Sequence, residues 1–441
     1  MKVVTKMQPT PFQIFDTFIF FIAVIHTFLT PTLYTWSQRL KRLKTKQRAH
    51  WKFYHFASEM VYLLSEVEVV FGIWLIPLLI GYVAFFNWDA MVQYLNARDY
   101  TQALYIMVIV VVIASRPIIV CAEKFLTWIA KAGGNTPAAW WWTILTLGPL
   151  LSVILKEPGA MALSSILLAR KFYPYQPSRA FKYATLGLLF ANVSIAGTLT
   201  PFASRSLLLV LKKWHWDFSY LFLKFGWKAL MAILLANLGY FIFFRKEFDS
   251  FSKTPARQEK KDQKPLPPLW ITLIHVGFVA LVALTGDHPP LFLGIFILYL
   301  GFHRATSFYQ HALELKSAIL VGFFFASLIT HAELQGWWIF AMLKPLNEWG
   351  MMWGAFILSA VVDNATILYL ASEMPHLSMQ QQYGLVVGAM AAGGLSVIAN
   401  APNPIGHAIL RSSFRGKISF SRLFLGAFFP TLVILIIFSG L

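Results

Sequence analysis

The stretch Ser359-Ala360-Val361-Val362-Asp363-Asn364-Ala365-Thr366 places one carboxylate near the middle of an apolar segment, residues 351–371. The segment is long enough to enter a bilayer. A charged acid at that depth costs about 2.5–3.5 kcal/mol on insertion scales, and such acids usually bind an ion or a proton. Asn364 and Thr366 add side-chain oxygens beside Asp363. We therefore interpret this segment as half of a cation site.

The composition is that of a polytopic membrane protein. Of the 441 residues, 58% are hydrophobic and 13% are charged, whereas a soluble domain has about 45–50% apolar and about 25% charged residues. The single cysteine, Cys121, excludes a disulfide framework and a cysteine-rich metal site. We expect no cofactor and no metal beyond the transported ions.

The net charge of +18 does not indicate a nucleic-acid partner. The basic residues concentrate in short loops between apolar segments, with the clearest cluster in residues 38–52. This is the pattern that the positive-inside rule predicts for cytoplasmic loops. We expect a multi-pass protein in the lipid bilayer of a bacterial inner membrane, with the N-terminus outside.

The apolar segments predict an all-α polytopic membrane protein with about ten transmembrane helices of about 20 residues each. The predicted spans are 12–34, 61–86, 101–121, 183–211, 218–244, 269–285, 290–304, 317–332, 383–410 and 420–440. Two further apolar regions, about 138–170 and 350–372, are interrupted by Lys156-Glu157-Pro158-Gly159 and by Asp363-Asn364. Irregular backbone at membrane depth survives only inside protein or beside a water-filled cavity. We therefore expect both regions to form re-entrant hairpins.

The chain divides into two halves of opposite orientation. We predict a first repeat over 1–244, a basic cytoplasmic linker over 245–268 and a second repeat over 269–441. Basic residues flank the first hairpin, whereas Glu348 and Glu373 flank the second. When Glu157 is aligned with Asp363, the helix breaks at 196–201 and 399–404 also correspond. Inverted repeats with broken helices are typical of secondary transporters.

These pieces resemble the ion transporter superfamily, and most closely its D-type sodium/proton antiporter branch. The run from Leu358 to Thr366 is similar to that branch's Ser-Ala-x-x-Asp-Asn motif. The run from Gly393 to Ala401 is similar to its Gly-Gly-rich unwound helix. The resemblance implies exchange of a monovalent cation for protons by alternating access. It also implies a homodimer, with cation sites between hairpin tips and unwound helices.

The expected cation and proton ligands lie on the two hairpins and the two helix breaks. They are Asp363, Asn364, Thr366, Asn400, Asn403, Glu157, Thr198 and Thr200. Lys156 is the expected charge partner: it pairs with Glu157 across the tip, or it neutralises Asp363 when no cation is bound. The competing interpretation is structural, with ion pairs that hold the tips and polar side chains that cap the broken helices.

Other functions stay open at this point. The first half has Lys156-Glu157-Pro158-Gly159 where the antiporter branch implies a second Asp-Asn, which leaves the coupling mechanism open. One alternative is a dicarboxylate or arsenite-like anion carrier of the same superfamily, in which Lys156 and Arg205 bind the substrate. Another is a non-transporting membrane scaffold. An enzyme is disfavoured, because no nucleophile–base or metal-ligand constellation occurs at a recognisable spacing.

Overall fold

A computed structural model describes residues 9–46, 51–201, 203–251, 264–313, 315–372, 374 and 376–440. Within these ranges the chain is helical and contains no β-strand, which confirms the predicted all-α class.

The α-helices fall into three consecutive stretches of the chain. The first stretch contains α1 (Pro11–Lys46), α2 (Trp51–Leu64), α3 (Val67–Phe85), α4 (Trp88–Asn96), α5 (Thr101–Ile113) and α6 (Arg116–Ala130). The second contains α7 (Pro137–Leu150), α8 (Ser152–Lys171), α9 (Arg179–Ala196), α10 (Arg205–Trp214), α11 (Phe218–Leu221), α12 (Trp227–Phe243) and α13 (Arg245–Phe251). The third contains α14 (Leu269–Leu284), α15 (Pro289–Ala305), α16 (Leu315–Ala332), α17 (Gly336–Leu343), α18 (Glu348–Ser359), α19 (Asn364–Ser372), α20 (Met379–Ala392), α21 (Asn403–Leu410) and α22 (Phe420–Gly440).

Several helical segments are long and apolar enough to cross a membrane. Among the described residues there are six: Pro11–Leu43, Val67–Phe85, Ser152–Tyr175, Phe218–Phe243, Ala318–Leu343 and Phe420–Gly440. Thr101–Ile113 and Arg116–Gly133 add a seventh if this pair, bent by 72°, is one span. The predicted spans 269–285 and 290–304 lie on α14 and α15, which have 16 and 17 residues. These helices indicate a multi-pass membrane protein.

Four interruptions break helices in the interior of the molecule. Tip 1 (residues 156–159) lies inside α8, where Lys156 leaves helical geometry at φ 57° and ψ 166°. Tip 2 (residues 360–363) separates α18 from α19. Break 1 (residues 197–204) separates α9 from α10, and break 2 (residues 393–402) separates α20 from α21. The segments 183–211 and 383–410, predicted as spans, are therefore each two helices.

Sequence chemistry explains where the helices begin and end around these interruptions. Thr136 caps α7 by accepting the backbone N–H of Ala139, and Pro137 occupies the first turn. Ser378 and Gln381 form a capping box that starts α20. At tip 1, Pro158 disfavours helical geometry in the preceding residues because its ring clashes with the backbone before it.

Glycines let the helices around the interruptions approach closely. A Cβ on Gly388 of α20 would lie 2.0 Å from the carbonyl oxygen of Met352 on α18, and one on Gly187 of α9 would lie 2.3 Å from backbone atoms of α22. Small residues at such contacts are the usual basis of helix packing in membranes. In addition, α8 packs against α21 and α10 packs against α19. The packing therefore draws both tips and both breaks into one region.

Gly388→Ala should destabilise the protein by about 1–3 kcal/mol, because the added methyl group must push α20 away from the α18 backbone. Thermal unfolding in detergent measures the effect. Gly301→Ala on α15 is the matched control, since no atom lies within 4 Å of its added Cβ. A helical Gly-to-Ala change without a clash should stabilise by roughly 0.5–1 kcal/mol. Equal unfolding temperatures for the two variants would contradict the close packing of α18 and α20.

Candidate functional site

Each tip is joined to a break by one backbone hydrogen bond. The Glu157 N–H of tip 1 donates to the Ala203 carbonyl oxygen of break 1 at 3.0 Å. The Asn364 N–H, directly after tip 2, donates to the Ala399 carbonyl oxygen of break 2 at 3.0 Å. Both bonds satisfy backbone groups that the interrupted helices leave without a partner. The two tips are thus anchored in the same way, each to the break that follows it along the chain.

Asp363 begins α19 and is buried, with 2% of its surface exposed. Its Oδ2 atom accepts the Thr366 backbone N–H at 3.2 Å, which is the geometry of a helix N-cap. Its Oδ1 atom has no hydrogen-bond partner among the described residues. No described basic side chain forms an ion pair with Asp363. This carboxylate is therefore stabilised by the backbone N–H groups and the positive dipole end of α19, and by no basic side chain of the described chain.

Break 2 is organised by one asparagine and one serine. The Asn403 side-chain amide donates to the carbonyl oxygens of Gly393 at 2.6 Å and Ser396 at 2.7 Å. The Ser396 hydroxyl donates to the Ala360 carbonyl oxygen at 2.9 Å, which ties break 2 to tip 2. Asn403 therefore holds the break together, as the structural interpretation of this residue expects. Its Oδ1 atom has no partner within the described chain, so that this oxygen is available to bind a ligand.

The Asn400 side chain differs from that of Asn403 in having no hydrogen-bond partner within the described chain. The residue is 1% exposed, and neither its Oδ1 nor its Nδ2 has a hydrogen-bond partner in the described part of the chain. A buried amide without partners costs about 1–3 kcal/mol by the measure of protein mutations. The amide instead faces the Glu157 carboxyl group. That is the expected property of a ligand-binding side chain.

Glu157 brings a second carboxyl group into the site. It is 2% exposed, and its Oε1 atom has no partner among the described residues. The carboxyl group faces Ser204 and Asn400 and lies close enough to Asp363 for their charges to interact. It packs over break 1, where a Cβ on Gly197 would lie 2.4 Å from Oε1. The two carboxylates aligned in the sequence thus lie in one site.

The remaining predicted ligands have unequal surroundings. The Thr198 hydroxyl donates to the Ile195 carbonyl oxygen at 2.7 Å and so caps α9. The buried Thr200 hydroxyl and the Asn364 Oδ1 atom have no partner within the described ranges. The Asn364 amide nitrogen contacts the sulfur of Met390 at 3.6 Å. Thr366 contributes its backbone N–H to Asp363. Thr200 and Asn364 therefore resemble Asn400, whereas Thr198 has a capping role.

Lys156 does not have either of its predicted partners. Its ammonium group lies 3.3 Å from Oδ1 of Asp287, in the turn between α14 and α15, and 5.3 Å from the ring centre of Tyr105. The adjacent side chains diverge at the tip, so that Glu157 is buried while Lys156 reaches the partly exposed Asp287. Neither Glu157 nor Asp363 is neutralised by this lysine.

Two hydroxyl groups at the site were missed by the sequence prediction. Ser204 ends break 1 and faces Glu157, and Ser359 directly precedes tip 2. Both hydroxyl oxygens are buried without a partner in the described chain. Ser359 stands within the quoted motif and was visible there. Ser204 belongs to no local pattern, because only the tertiary contact with Glu157 distinguishes it from other serines.

The arrangement suits a small cation. Buried oxygens without a partner in the described chain belong to two carboxyl groups, three amides and several hydroxyls at or beside the tips and breaks. Because α9 and α20 both end there, their carbonyl ends add negative potential. Such a region is electrically balanced only when protons or a cation neutralise the carboxylates. Half-helix ends and unwound carbonyls bind sodium and protons in this manner in secondary transporters.

Broken helices around buried acidic oxygens, in a chain with several membrane-length helices, are typical of secondary transporters. The chain belongs to the family described as "Putative Na+/H+ antiporter", which matches residues 11–441. No curated protein matches the chain. The family match confirms the predicted resemblance to sodium/proton antiporters, and it points to a transporter rather than an enzyme.

Asn400→Leu should raise the unfolding temperature in sodium-free buffer, because it removes two buried polar atoms that have no partner. The expected gain is about 1–3 kcal/mol. The same change should abolish the stabilisation that added sodium gives by binding the folded state. Thermal unfolding in detergent, with sodium chloride or choline chloride, measures both effects.

Asn237→Leu is the matched control. Asn237 is also a buried amide, but it accepts from Asn192 and donates to Thr146, each at 2.9 Å. Its loss should lower stability by about 1–3 kcal/mol and leave the sodium response intact. If Asn400→Leu also lowered stability in sodium-free buffer, the Asn400 amide would have a structural role instead.

Proposed function

We propose that this protein is a secondary-active antiporter that exchanges a monovalent cation, most simply sodium, for protons by alternating access. Asp363 is the central carboxylate. The observation that carries the proposal is its unpaired Oδ1 atom, buried beside other oxygens that also have no partner within the described chain. A scaffold protein would gain nothing from this set of unsatisfied groups, since each of them weakens the fold.

Competition at Asp363 supplies the coupling. A proton and a cation both neutralise the carboxylate, and they need the same oxygen atoms. Entry of the cation therefore expels the proton, and protonation expels the cation. Because the neutral forms are the stable ones in a buried site, the protein moves between its two orientations with either the proton or the cation bound. The result is exchange without free leakage of either ion.

The cation ligands are proposed from the groups whose oxygens lack partners. They are Asp363, Asn364, Asn400, Asn403, Glu157 and Thr200, with backbone carbonyls of both breaks and the hydroxyls of Ser204 and Ser359. Thr366 donates its backbone N–H to Asp363, the N-cap of α19, and the Thr198 hydroxyl caps α9, so that both residues support the site. Glu157 supplies the second negative charge and takes the place that an Asp-Asn pair has in the antiporter branch.

We further propose that the chain consists of two inverted repeats with re-entrant hairpins at tips 1 and 2. Two observations support this architecture. The bonds Glu157–Ala203 and Asn364–Ala399 match in type and length. The contacts of α8 with α21 and of α10 with α19 are reciprocal between the halves. The proposal includes about ten spans of about 20 residues, with the shorter α14 and α15 among them.

The cellular setting remains a proposal built on charge and resemblance. The concentration of basic residues in short loops supports a bacterial inner membrane with the N-terminus outside. The resemblance supports a homodimer. Most of the linker 245–268 and part of the basic loop 38–52 lie outside the described residues.

The anion-carrier alternative has less support. It relies on Lys156 and Arg205 as substrate ligands, but Lys156 pairs with Asp287, and the Arg205 side chain lies outside the described part of the chain. The buried groups that face the site are oxygen-rich and include two carboxylates, which would repel a dicarboxylate. We therefore favour the cation.

Asp363→Asn should abolish sodium-driven proton movement, because the amide keeps the shape of the side chain and cannot carry a proton or a negative charge. Purified protein in liposomes, with a trapped pH-sensitive dye and a sodium pulse, measures the exchange. Asp89→Asn, at an exposed acid on α4, is the control and should behave like the wild type. Equal sodium-driven signals from the wild type and Asp363→Asn would overturn the assignment, and uptake of labelled dicarboxylate would favour the anion carrier.

A further inference from the structure

Another buried acid lies on a different helix from the cation ligands. Glu68, in the first turn of α3, has its Oε1 atom 3.3 Å from Nδ1 of His407 on α21. The two side chains are 6% and 5% exposed. Ionisable groups buried in membrane segments are typical of ion and proton pathways. The proposed cation site does not use this pair.

Helix α21 connects the pair to the cation site. Asn403 and His407 are four residues apart, so they lie on the same face of α21, and Arg411 follows after another four residues. At a rise of about 1.5 Å per residue, each step is roughly 6 Å. Asn403 belongs to the cation site, whereas Arg411 directly follows the last residue of α21. His407 is therefore the intermediate polar position between them.

The far end of this polar row is close to the protein surface. Arg411 lies 3.9 Å from Oε1 of Glu66, and both side chains are partly exposed, at 16% and 11%. A cavity of about 10 Å³ lies beside them, lined by Tyr34, Ser65, His407, Arg411 and Lys417 among others. That volume is about the minimum that one water molecule needs. His407 thus borders the water-sized cavity on one side and Glu68 on the other.

We propose that Glu68 and His407 form a second proton-binding site, which holds one proton between the Arg411 cavity and the cation site. The inference rests on the proposed antiport function and adds to it the route of the proton. A proton from water in the cavity is taken up by the His407 imidazole, whose charge the Glu68 carboxylate balances. When the cation leaves, this proton moves to the Asp363 carboxylate. The pair then returns to its original charge and accepts the next proton from the cavity.

Among the ionisable groups around this pair, we assign the carried proton to His407. Helix α21 packs against α3, α8, α16 and the turn after it. The charged groups near His407 are Glu68 on α3, Glu66 just before α3, and Arg411 and Lys417 after α21. The ionisable residues of α8 and α16 do not face this pair. Lys156 pairs with Asp287, Arg170 and Lys171 pair with Glu123, and His331 pairs with Asp16. Glu157 belongs to the cation site, and Lys316 is exposed.

The test compares two transport modes of the same protein in liposomes. Sodium-for-proton exchange is followed with a trapped pH dye, and sodium-for-sodium exchange with radioactive sodium at equal concentration on both sides. The second mode needs no proton. In His407→Gln, the proton-coupled rate should fall about a hundredfold, the lower end of the cost of losing a positioned proton-transfer group. The sodium-for-sodium rate should stay near that of the wild type.

The chain offers a matched control in a second buried acid–imidazole pair. His331 Nδ1 lies 3.3 Å from Oδ1 of Asp16, and both side chains are fully buried. This pair joins α1 to α16 and has no place on the α21 face. His331→Gln should therefore leave the ratio of the two rates unchanged, even if it lowers stability. Glu68→Gln provides a second test variant should His407→Gln fail to fold, and it should change the ratio in the same direction.

The outcomes separate this inference from the proposed function. Loss of proton-coupled exchange with sodium-for-sodium exchange retained, in His407→Gln or Glu68→Gln only, supports the second proton site. A parallel fall of both rates, or an equal change of the ratio in His331→Gln, assigns Glu68 and His407 a structural role and overturns it. If the wild type moves no protons in response to sodium, both the antiport function and this inference are wrong.

Discussion

Four helix interruptions release backbone N–H and C=O groups inside an apolar protein, and the rest of the structure depends on satisfying them. In a bilayer each unsatisfied group costs several kcal/mol, since no water is present to replace the lost bond. The Glu157 and Asn364 N–H groups bond to Ala203 and Ala399, and the Asn403 amide bonds to two carbonyls of break 2. Because these bonds join separate segments, the position of each tip depends on the break that it contacts.

The buried acids fall into two groups, those with a basic partner and those without one in the described chain. Asp16 and Glu68 each face a histidine, and the Glu66 carboxylate lies 3.9 Å from the Arg411 guanidinium. In contrast, the acids at the tips, Glu157 and Asp363, have no basic partner in the described chain. An unpaired buried carboxylate is strongly unfavourable unless a proton or cation neutralises it. The difference in pairing therefore separates the acids with a basic partner from the two acids to which we assign the transported ion.

Local patterns were enough to predict the helix interruptions and the burial of the Asp363 carboxylate. A carboxylate, a Pro-Gly pair or a Gly-rich run inside an apolar segment is unusual by itself, and its physical cost is visible without any knowledge of neighbours. The same reasoning failed for Lys156, whose partner Asp287 is 131 residues away along the chain. It also did not single out Glu68, because the contact with His407 joins two helices that no sequence pattern relates.

The sequence by itself determined the helical class, the membrane-length segments, the helix interruptions and the residues that carry polar groups into them. These properties follow from hydropathy, from proline and glycine geometry and from the cost of burying charge, all of which act within one segment. Only the tertiary structure decided which polar atoms are paired. Asn403 is bonded to break 2 while Asn400 is left unbonded, although both lie in the same short run. Pairing depends on distances between segments far apart in the chain, and helix packing alone sets those distances.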